Sequence, residues 1–344
     1  MTAENNNEAK SLGRKTELKH KKLIITLSVI LAVVLVLVSA FFIVRKIGET
    51  ALRKKQENAQ VKLPVSGSDT VPEDADAYYN GAAYNYNDKL INILLLGVDR
   101  DKPNDSDSHQ ADAIYLVSFD TDSNSVKVIA ISRNTVTDVD SYDINGNYFS
   151  TAKQQICLAY TYGKDDRKSS ENTVKAVSNL FYGVPISGYY TVFMNSIADI
   201  VDAVGGVPVK LTEDLTAVDP KMKQGAEVTV TGRNAVGYLQ YRGDSNAPRL
   251  ERQKSFISSF VGRAKAAVIQ DLSLPLKMYN KLAANTVTDV TSASAVYLAS
   301  EALYADFSII GIEGETGTDG TYETFTPYED QLYELLLDVF YKKQ

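Results

Sequence analysis

The chain has 344 residues and a formal net charge of −7 at pH 7. One cysteine excludes an intramolecular disulfide framework, and two histidines leave little basis for a histidine-dependent catalytic site or a histidine-ligated zinc site. Residues 1–22 carry a net charge of +3 and residues 23–44 carry none, so the remaining 300 residues carry −10. Such an acidic body lacks the broad cationic field that binding to nucleic acid requires, and we expect no nucleic-acid partner.

An uncharged apolar segment occupies residues 23–44. As a helix it would be about 33 Å long at roughly 1.5 Å per residue, enough for a hydrocarbon core of about 30 Å. Basic residues flank both ends, so the positive-inside comparison is nearly balanced, and the short N-terminus before a long remainder decides the orientation. We predict a cytoplasmic tail (1–22), a transmembrane signal-anchor helix (23–44) and an extracellular C-terminal part. A buried core helix and a cleaved signal peptide are the alternatives.

A linker is predicted at 45–88, because the chain after residue 59 is rich in Ser, Pro, Asp, Gly and Asn and offers little to bury. The folded domain is predicted at 89–344 and opens with the apolar strand 91–97. Strands at 113–119 and 126–131 follow, and the polar turn between them predicts a hairpin.

The rest of the chain shows alternating strand and helix patterns. Strands are predicted at 189–194, 207–211 and 306–313, and helices at 151–162, 170–182, 195–204, 231–240, 248–270, 273–284, 291–304 and 328–342. Strands that alternate with helices predict an α/β fold with a buried central sheet covered on both faces, and the hairpin makes that sheet mixed.

Charged side chains lie where predicted strands begin or end. Asp99 follows the first strand, Asp112 precedes the second, and Arg133 follows the third. Ligands of open α/β sheets bind at strand ends, and two carboxylates there suit Mg²⁺, which prefers oxygen ligands and usually bridges to substrate phosphates. Any one such aspartate alone is more often a turn or cap residue, so the prediction rests on the combination.

A second charged cluster joins two predicted helices. Arg242 ends one helix, and Arg249, Arg252 and Gln253 begin the next. Arg249 and Gln253 are four residues apart and share a helical face. Arginine forks and helix N-termini both bind phosphate, but a solvated basic helix start is an equal alternative.

Several motifs in order resemble those of the LytR-CpsA-Psr family across residues 89–265. They are INILLLGVDR from Ile91, QADAIYLVSFD from Gln110, ISRNT from Ile131, ICLAYTYG from Ile156, VDAVGGVPV from Val201, and QYR from Gln240 with PRLERQ from Pro248.

The resemblance implies a three-layer α/β/α sandwich with a hydrophobic pocket for a polyprenyl chain. It implies an enzyme, a phosphotransferase that attaches polyprenyl-pyrophosphate-linked glycopolymers, such as teichoic acid or capsular polysaccharide, to peptidoglycan at the cell membrane. By the same resemblance Asp99 and Asp112 hold Mg²⁺, Asp112 and Arg133 are catalytic, and the pyrophosphate is bound by Arg133, Arg242, Arg249 and Gln253.

The chain departs from the family pattern at three cationic positions. Gln110 and Gln240 stand where the family commonly has arginine, and Gln155 aligns with a frequent lysine. The alternative function is therefore a catalytically weak relative that binds polyprenyl-linked or wall polymers, or that acts as an assembly partner. Periodicity does not locate a lipid pocket, because the candidate lining residues are equally well explained as core: Ile156, Val177, Leu180 and Phe181.

Overall fold

The computed structural model describes residues 39–56, 72, 74–103, 109–143, 145–241 and 247–344. The chain divides into two compact units, Met1–Ile47 and Gly48–Gln344. The described residues of the first unit, 39–47, are helical. All elements below belong to the second unit.

The predicted membrane anchor is not supported. Most of the segment 23–44 lies outside the described residues, as does the predicted tail 1–22. Within the described part of the chain, no helix is long and apolar enough to cross a membrane. The prediction of a single-pass protein with an extracellular C-terminal domain is corrected accordingly.

A six-stranded mixed sheet forms the centre of the second unit. In spatial order its strands are β11 (Thr286–Thr288), β8 (Gly188–Phe193), β3 (Leu90–Val98), β4 (Ala111–Asp120), β5 (Ser125–Ile131) and β12 (Asp306–Gly311). Strand β4 is antiparallel to both of its neighbours, β3 and β5, whereas β8 is parallel to β3 and β12 is parallel to β5. The prediction of an α/β fold with a mixed central sheet is confirmed.

Helices and shorter strands complete the unit. The helices are α1 (residues 48–54), α2 (Leu158–Thr161), α3 (Asp166–Leu180), α4 (Met194–Ala203), α5 (Gly232–Gln240), α6 (Ala247–Gln270), α7 (Leu274–Leu282), α8 (Ser292–Tyr304) and α9 (Glu329–Phe340). The smaller strands are β1 (Ala77–Tyr79), β2 (Ala82–Tyr86), β6 (Val136–Tyr142), β7 (Tyr148–Gln155), β9 (Val207–Lys210), β10 (Glu227–Val230), β13 (Gly314–Thr318), β14 (Glu323–Pro327) and β15 (Tyr341–Lys343).

The central strands bury side chains on both faces of the sheet. Along β3, Leu94 and Leu96 belong to a core that includes side chains of α3 and α9. Ile91 and Ile93 belong to a separate cluster with side chains of α1 and α8. This period-two alternation is that of a strand whose two faces are both covered.

One region of the central sheet is partly exposed to solvent. Leu95 lies in the middle of β3, yet 38% of its surface is exposed. Helices α4, α5 and α6 pack with β9 and β10 around a hydrophobic cluster of their own, with Val207, Tyr238 and Phe256 buried in it. A cavity lies between these helices and the ends of β3 and β4.

Two segments differ from the sequence predictions. Within the predicted linker 45–88, β1 and β2 form a hairpin, because Asn80 and Gly81 both adopt positive φ at the turn and β15 pairs with β2. Within the predicted helix 151–162, residues up to Gln155 form β7, which pairs along its length with β6, and only Leu158–Thr161 is helical. Cross-strand pairing outweighs local helical periodicity here.

Candidate functional site

A pocket with a volume of about 520 Å³ lies where β3 ends and β4 begins. Because these strands are antiparallel neighbours, Gly97 faces Ala113 and Val98 faces Ala111. This brings Asp99, just beyond β3, and Asp112, near the start of β4, to the same end of the sheet. The pocket is lined by Gly97, Asp99, Asp112, Ala113, Tyr115, Met194, Ile197, Leu239, Gln240, Arg249, Gln253, Phe256 and Ile257. The structure therefore brings together both predicted metal ligands and two of the predicted pyrophosphate ligands.

Asp99 is held by a neutral amide. Nε2 of Gln240, at the end of α5, donates to Oδ1 of Asp99 at 2.8 Å and also lies 3.3 Å from the sulfur of Met194. Gln240 thus satisfies the carboxylate with a hydrogen bond and brings no positive charge to the pocket.

Asp112 forms an ion pair with Arg133, whose guanidinium also donates to Oε1 of Gln110. Arg133 and Gln110 are not among the residues that line the pocket. The guanidinium therefore contacts the pocket through Asp112. Cys157 completes this group, with its sulfur 3.8 Å from Arg133 and 3.7 Å from Gln110. Burial raises the pKa of the Cys157 thiol, and the adjacent Arg133 offsets part of that rise.

Helix α6 supplies the remaining polar lining. Arg249 and Gln253 both face the pocket, and Gln253 is fixed by a bond from its amide to the Leu239 carbonyl at 3.1 Å. The Tyr115 hydroxyl donates to Oε1 of Gln253 at 3.4 Å. Burial raises the pKa of Tyr115 to about 12, although Arg249 lowers it in part, so the hydroxyl remains a donor at neutral pH.

Two other arginines of the predicted cluster have different outcomes. Arg242 lies outside the described residues. Arg252 is buried, pairs with Glu213, and donates to the carbonyls of Tyr238 and Tyr241. Arg252 therefore ties α6 to the end of α5 and does not face the pocket.

The apolar half of the pocket was not predicted from the sequence. It consists of Met194, Ile197, Leu239, Phe256 and Ile257. These positions lie at helical spacing on α4, α5 and α6 and are indistinguishable from core in the sequence. The four candidates for pocket lining that the sequence offers belong instead to the core cluster on one face of the sheet. They are Ile156, Val177, Leu180 and Phe181.

Gln155 lies away from the pocket. Its amide donates to the Glu323 carbonyl at 2.6 Å and to the Asn134 side chain at 3.3 Å, which ties β7 to β14.

The donor set at the pocket fits Mg²⁺. Asp99 and Asp112 both line it, and Mg²⁺ commonly takes one or two protein carboxylates together with substrate phosphates and water. The part of the chain that the structure describes holds no group of three or more His, Cys, Asp or Glu side chains that would make an all-protein metal cage. A site completed by substrate phosphates is compatible with both observations.

Comparison with known proteins agrees with the family resemblance of the sequence motifs. A model of the LytR_cpsA_psr family matches residues 43–336. The polyisoprenyl-teichoic acid–peptidoglycan teichoic acid transferase TagV of Bacillus subtilis (strain 168) is 26% identical over 253 residues, which are 68% of this chain and 60% of the relative. TagU of Bacillus anthracis, of the same description, is 30% identical over 168 residues, 47% of this chain and 50% of the relative.

The chain thus spans about half to 60% of the length of these relatives. The crystal structure of B. subtilis TagV superimposes with a TM-score of 0.59 at 21% identity and covers 73% of this chain and 96% of that chain. The two proteins share a fold.

Proposed function

This chain belongs to the LytR-CpsA-Psr family, and from that premise we propose that it transfers a glycopolymer from a polyprenyl-pyrophosphate carrier to peptidoglycan. The proposal includes the family's three-layer α/β/α arrangement, with the pocket as the carrier site. One observation carries it: a single pocket joins two carboxylates and Arg249 to an apolar lining. The names of the curated relatives, teichoic acid transferases that act on peptidoglycan, agree with this substrate class.

The two halves of the pocket match the two halves of the carrier. Met194, Ile197 and Ile257 offer apolar surface to a hydrocarbon chain, while Arg249 and Gln253 offer donors to phosphate oxygens. A volume of about 520 Å³ is within the range of pockets that enclose a small ligand or one end of a long one. We therefore expect the carrier's lipid chain to contact the apolar lining and its phosphates to contact Arg249 and Gln253.

The reaction is a displacement at the sugar-linked phosphorus. The acceptor hydroxyl oxygen bonds to that phosphorus and releases its proton to solvent. The bond from the phosphorus to the bridging oxygen breaks, and lipid monophosphate departs with that oxygen and its electron pair. Asp99 and Asp112 would hold Mg²⁺, which supplies positive charge for the leaving phosphate. Arg249, which lines the same pocket, would add a fixed cation near that charge, and Arg133 would orient Asp112 through their ion pair.

A second candidate is a catalytically weak relative that binds polyprenyl-linked or wall polymers. The observation that favours it is the charge of the lining: among the described lining residues, two are carboxylates and one is an arginine. Gln240 supplies a neutral amide next to Asp99. Such a lining binds pyrophosphate less tightly than one with further arginines.

Transfer to peptidoglycan tests both candidates. The full-length chain is incubated with a polyprenyl-pyrophosphate-linked glycopolymer and peptidoglycan, with Mg²⁺ or with a chelator. A transferase attaches polymer only with Mg²⁺ and loses the activity in Asp99→Asn and Asp112→Asn. Binding of the carrier without attachment supports the second candidate, and absence of both refutes the assignment of this pocket.

A further inference from the structure

Asp99 is the first residue beyond β3, and a buried polar chain begins at the next residue. Arg100 is 8% exposed and forms an ion pair with Asp166, which is 5% exposed and is the first residue of α3. The Tyr160 hydroxyl on α2 donates to Oδ1 of the same Asp166 at 2.8 Å. None of Arg100, Asp166 and Tyr160 lines the pocket.

The backbone hydrogen bonds of Arg100 fix the chain next to Asp99. The Arg100 amide donates to the Val98 carbonyl at 2.8 Å, and its own carbonyl accepts from the Met194 amide at 2.9 Å, at the start of α4. The guanidinium lies over the Phe193 ring, 5.1 Å from the centroid. A shift of Arg100 would therefore move Asp99, and also Met194, which lines the pocket and contacts Gln240.

The geometry of α2 explains the Tyr160 position. This short helix ends just before Gly163, where a Cβ would lie 2.1 Å from the amide nitrogen of Ser169 in α3. Glycine allows α2 to lie against the beginning of α3, and so brings the Tyr160 hydroxyl onto Asp166. Burial, together with the Asp166 charge, raises the pKa of Tyr160, so it remains a hydrogen-bond donor. The segment from Ala159 to Gly163 is thus linked to the residue next to Asp99 through Asp166 and Arg100.

We infer that Tyr160, Asp166 and Arg100 are positioning residues that hold the Asp99 carboxylate in the geometry needed to bind a divalent cation. A buried, hydrogen-bonded ion pair has one arrangement, and a cation site needs its ligands placed to within a fraction of an ångström. The inference rests on the proposed role of Asp99 as a metal ligand. It adds three residues that do not touch the cation.

Mn²⁺ binding to the full-length chain, measured by electron paramagnetic resonance, provides a readout apart from transfer. Asp166→Asn and Arg100→Lys should each weaken Mn²⁺ binding about tenfold, as a positioned ligand loses its alignment. Tyr160→Phe removes one hydroxyl and keeps the buried ring, so it should fold and weaken binding about threefold. This milder variant decides the question if the ion-pair variants do not fold.

The chain offers matched controls beside the same helices. The Tyr162 hydroxyl, just beyond the end of α2, donates to Gln154 at 2.7 Å, and Asp140 of β6 is a buried carboxylate paired with Lys175 of α3. Tyr162→Phe and Asp140→Asn should lower the melting temperature as the test variants do, and should leave Mn²⁺ affinity within twofold of the unchanged chain.

The outcomes separate the inference from the proposed function. Wild-type affinity in Tyr160→Phe and in every folded ion-pair variant, with weak binding in Asp99→Asn, overturns the positioning role and leaves the cation site standing. Equal loss in the controls overturns it as well, because the effect would then follow stability. If the unchanged chain binds Mn²⁺ no better than Asp99→Asn, the proposed cation site and the inference fall together.

Discussion

Gln240→Arg tests how the formal charge of the pocket lining affects its affinity for pyrophosphate. Nε2 of Gln240 lies 2.8 Å from Oδ1 of Asp99, so an arginine at this position places its guanidinium at the carboxylate end of the pocket. The described lining has two carboxylates and Arg249, and the substitution changes its formal charge from −1 to 0. Pyrophosphate should bind more tightly as a result.

The magnitude follows from two opposing contributions. A charged donor to phosphate contributes about 1.5–3 kcal/mol. Pairing of the new arginine with Asp99 at an exposed site offsets about 1 kcal/mol of this. The difference, about 0.5–2 kcal/mol, corresponds to roughly a 2- to 30-fold gain in affinity at about 1.4 kcal/mol per tenfold.

Calorimetric titration with inorganic pyrophosphate, with and without Mg²⁺, measures that gain. Gln224→Arg is the matched control, because Gln224 is exposed, its amide donates to the Thr212 carbonyl, and it does not line the pocket. The control adds the same charge and should leave affinity unchanged. An equal gain in both variants, or no gain in Gln240→Arg, would refute the reasoning.

Three further results are expected. Asp112→Asn should abolish polymer transfer yet keep the circular dichroism spectrum, since the amide keeps the shape of the carboxylate and can still accept a hydrogen bond from Arg133; unfolding would return Asp112 to a structural role. Ile197→Lys should weaken binding of long-chain polyprenyl pyrophosphate about tenfold and spare inorganic pyrophosphate, in paired titrations; equal loss would place the lipid elsewhere. Burial acts to raise the pKa of Asp140, but bonds from Lys175 and Thr151 outweigh it and lower that pKa. The folded-state value is thus below the unfolded one, so the stabilisation is present above about pH 4 and is lost as the pH falls through the folded-state pKa. Urea unfolding of Lys175→Met should show a smaller loss of stability on acidification, and an unchanged pH dependence would contradict this.

The sheet was predictable where burial dictates the side-chain pattern. Strands β3, β4 and β5 each bury side chains on both faces, which produces short apolar runs bounded by polar turns. The pair β6 and β7 was not predictable. Along β7 most side chains are exposed, so no apolar alternation marks it, and its conformation depends on pairing with Val136–Tyr142.

The candidate site was predictable in its carboxylates and not in its contacts. Asp99 follows the end of β3 and Asp112 lies at the start of its antiparallel neighbour β4, so the topology alone brings them to one pocket. The side-chain direction of Arg133 was not predictable, because it depends on contacts with Gln110 and Cys157, which come from other segments of the chain. Those pairings join residues more than twenty positions apart and have no local pattern.

The two glutamines at positions where the sequence resemblance predicts arginine do not have equivalent roles. Gln240 donates to Asp99, whereas Gln110 accepts from Arg133. An arginine at Gln110 would bring a second guanidinium to Arg133, while an arginine at Gln240 would meet a carboxylate. Each amide keeps its neighbour hydrogen-bonded while removing a positive charge from the region. Within the proposed function, neutralisation of the phosphates then depends more on Arg249 and on the cation at Asp99 and Asp112. Binding of pyrophosphate should consequently depend on Mg²⁺ more steeply in this chain than in its Gln240→Arg variant.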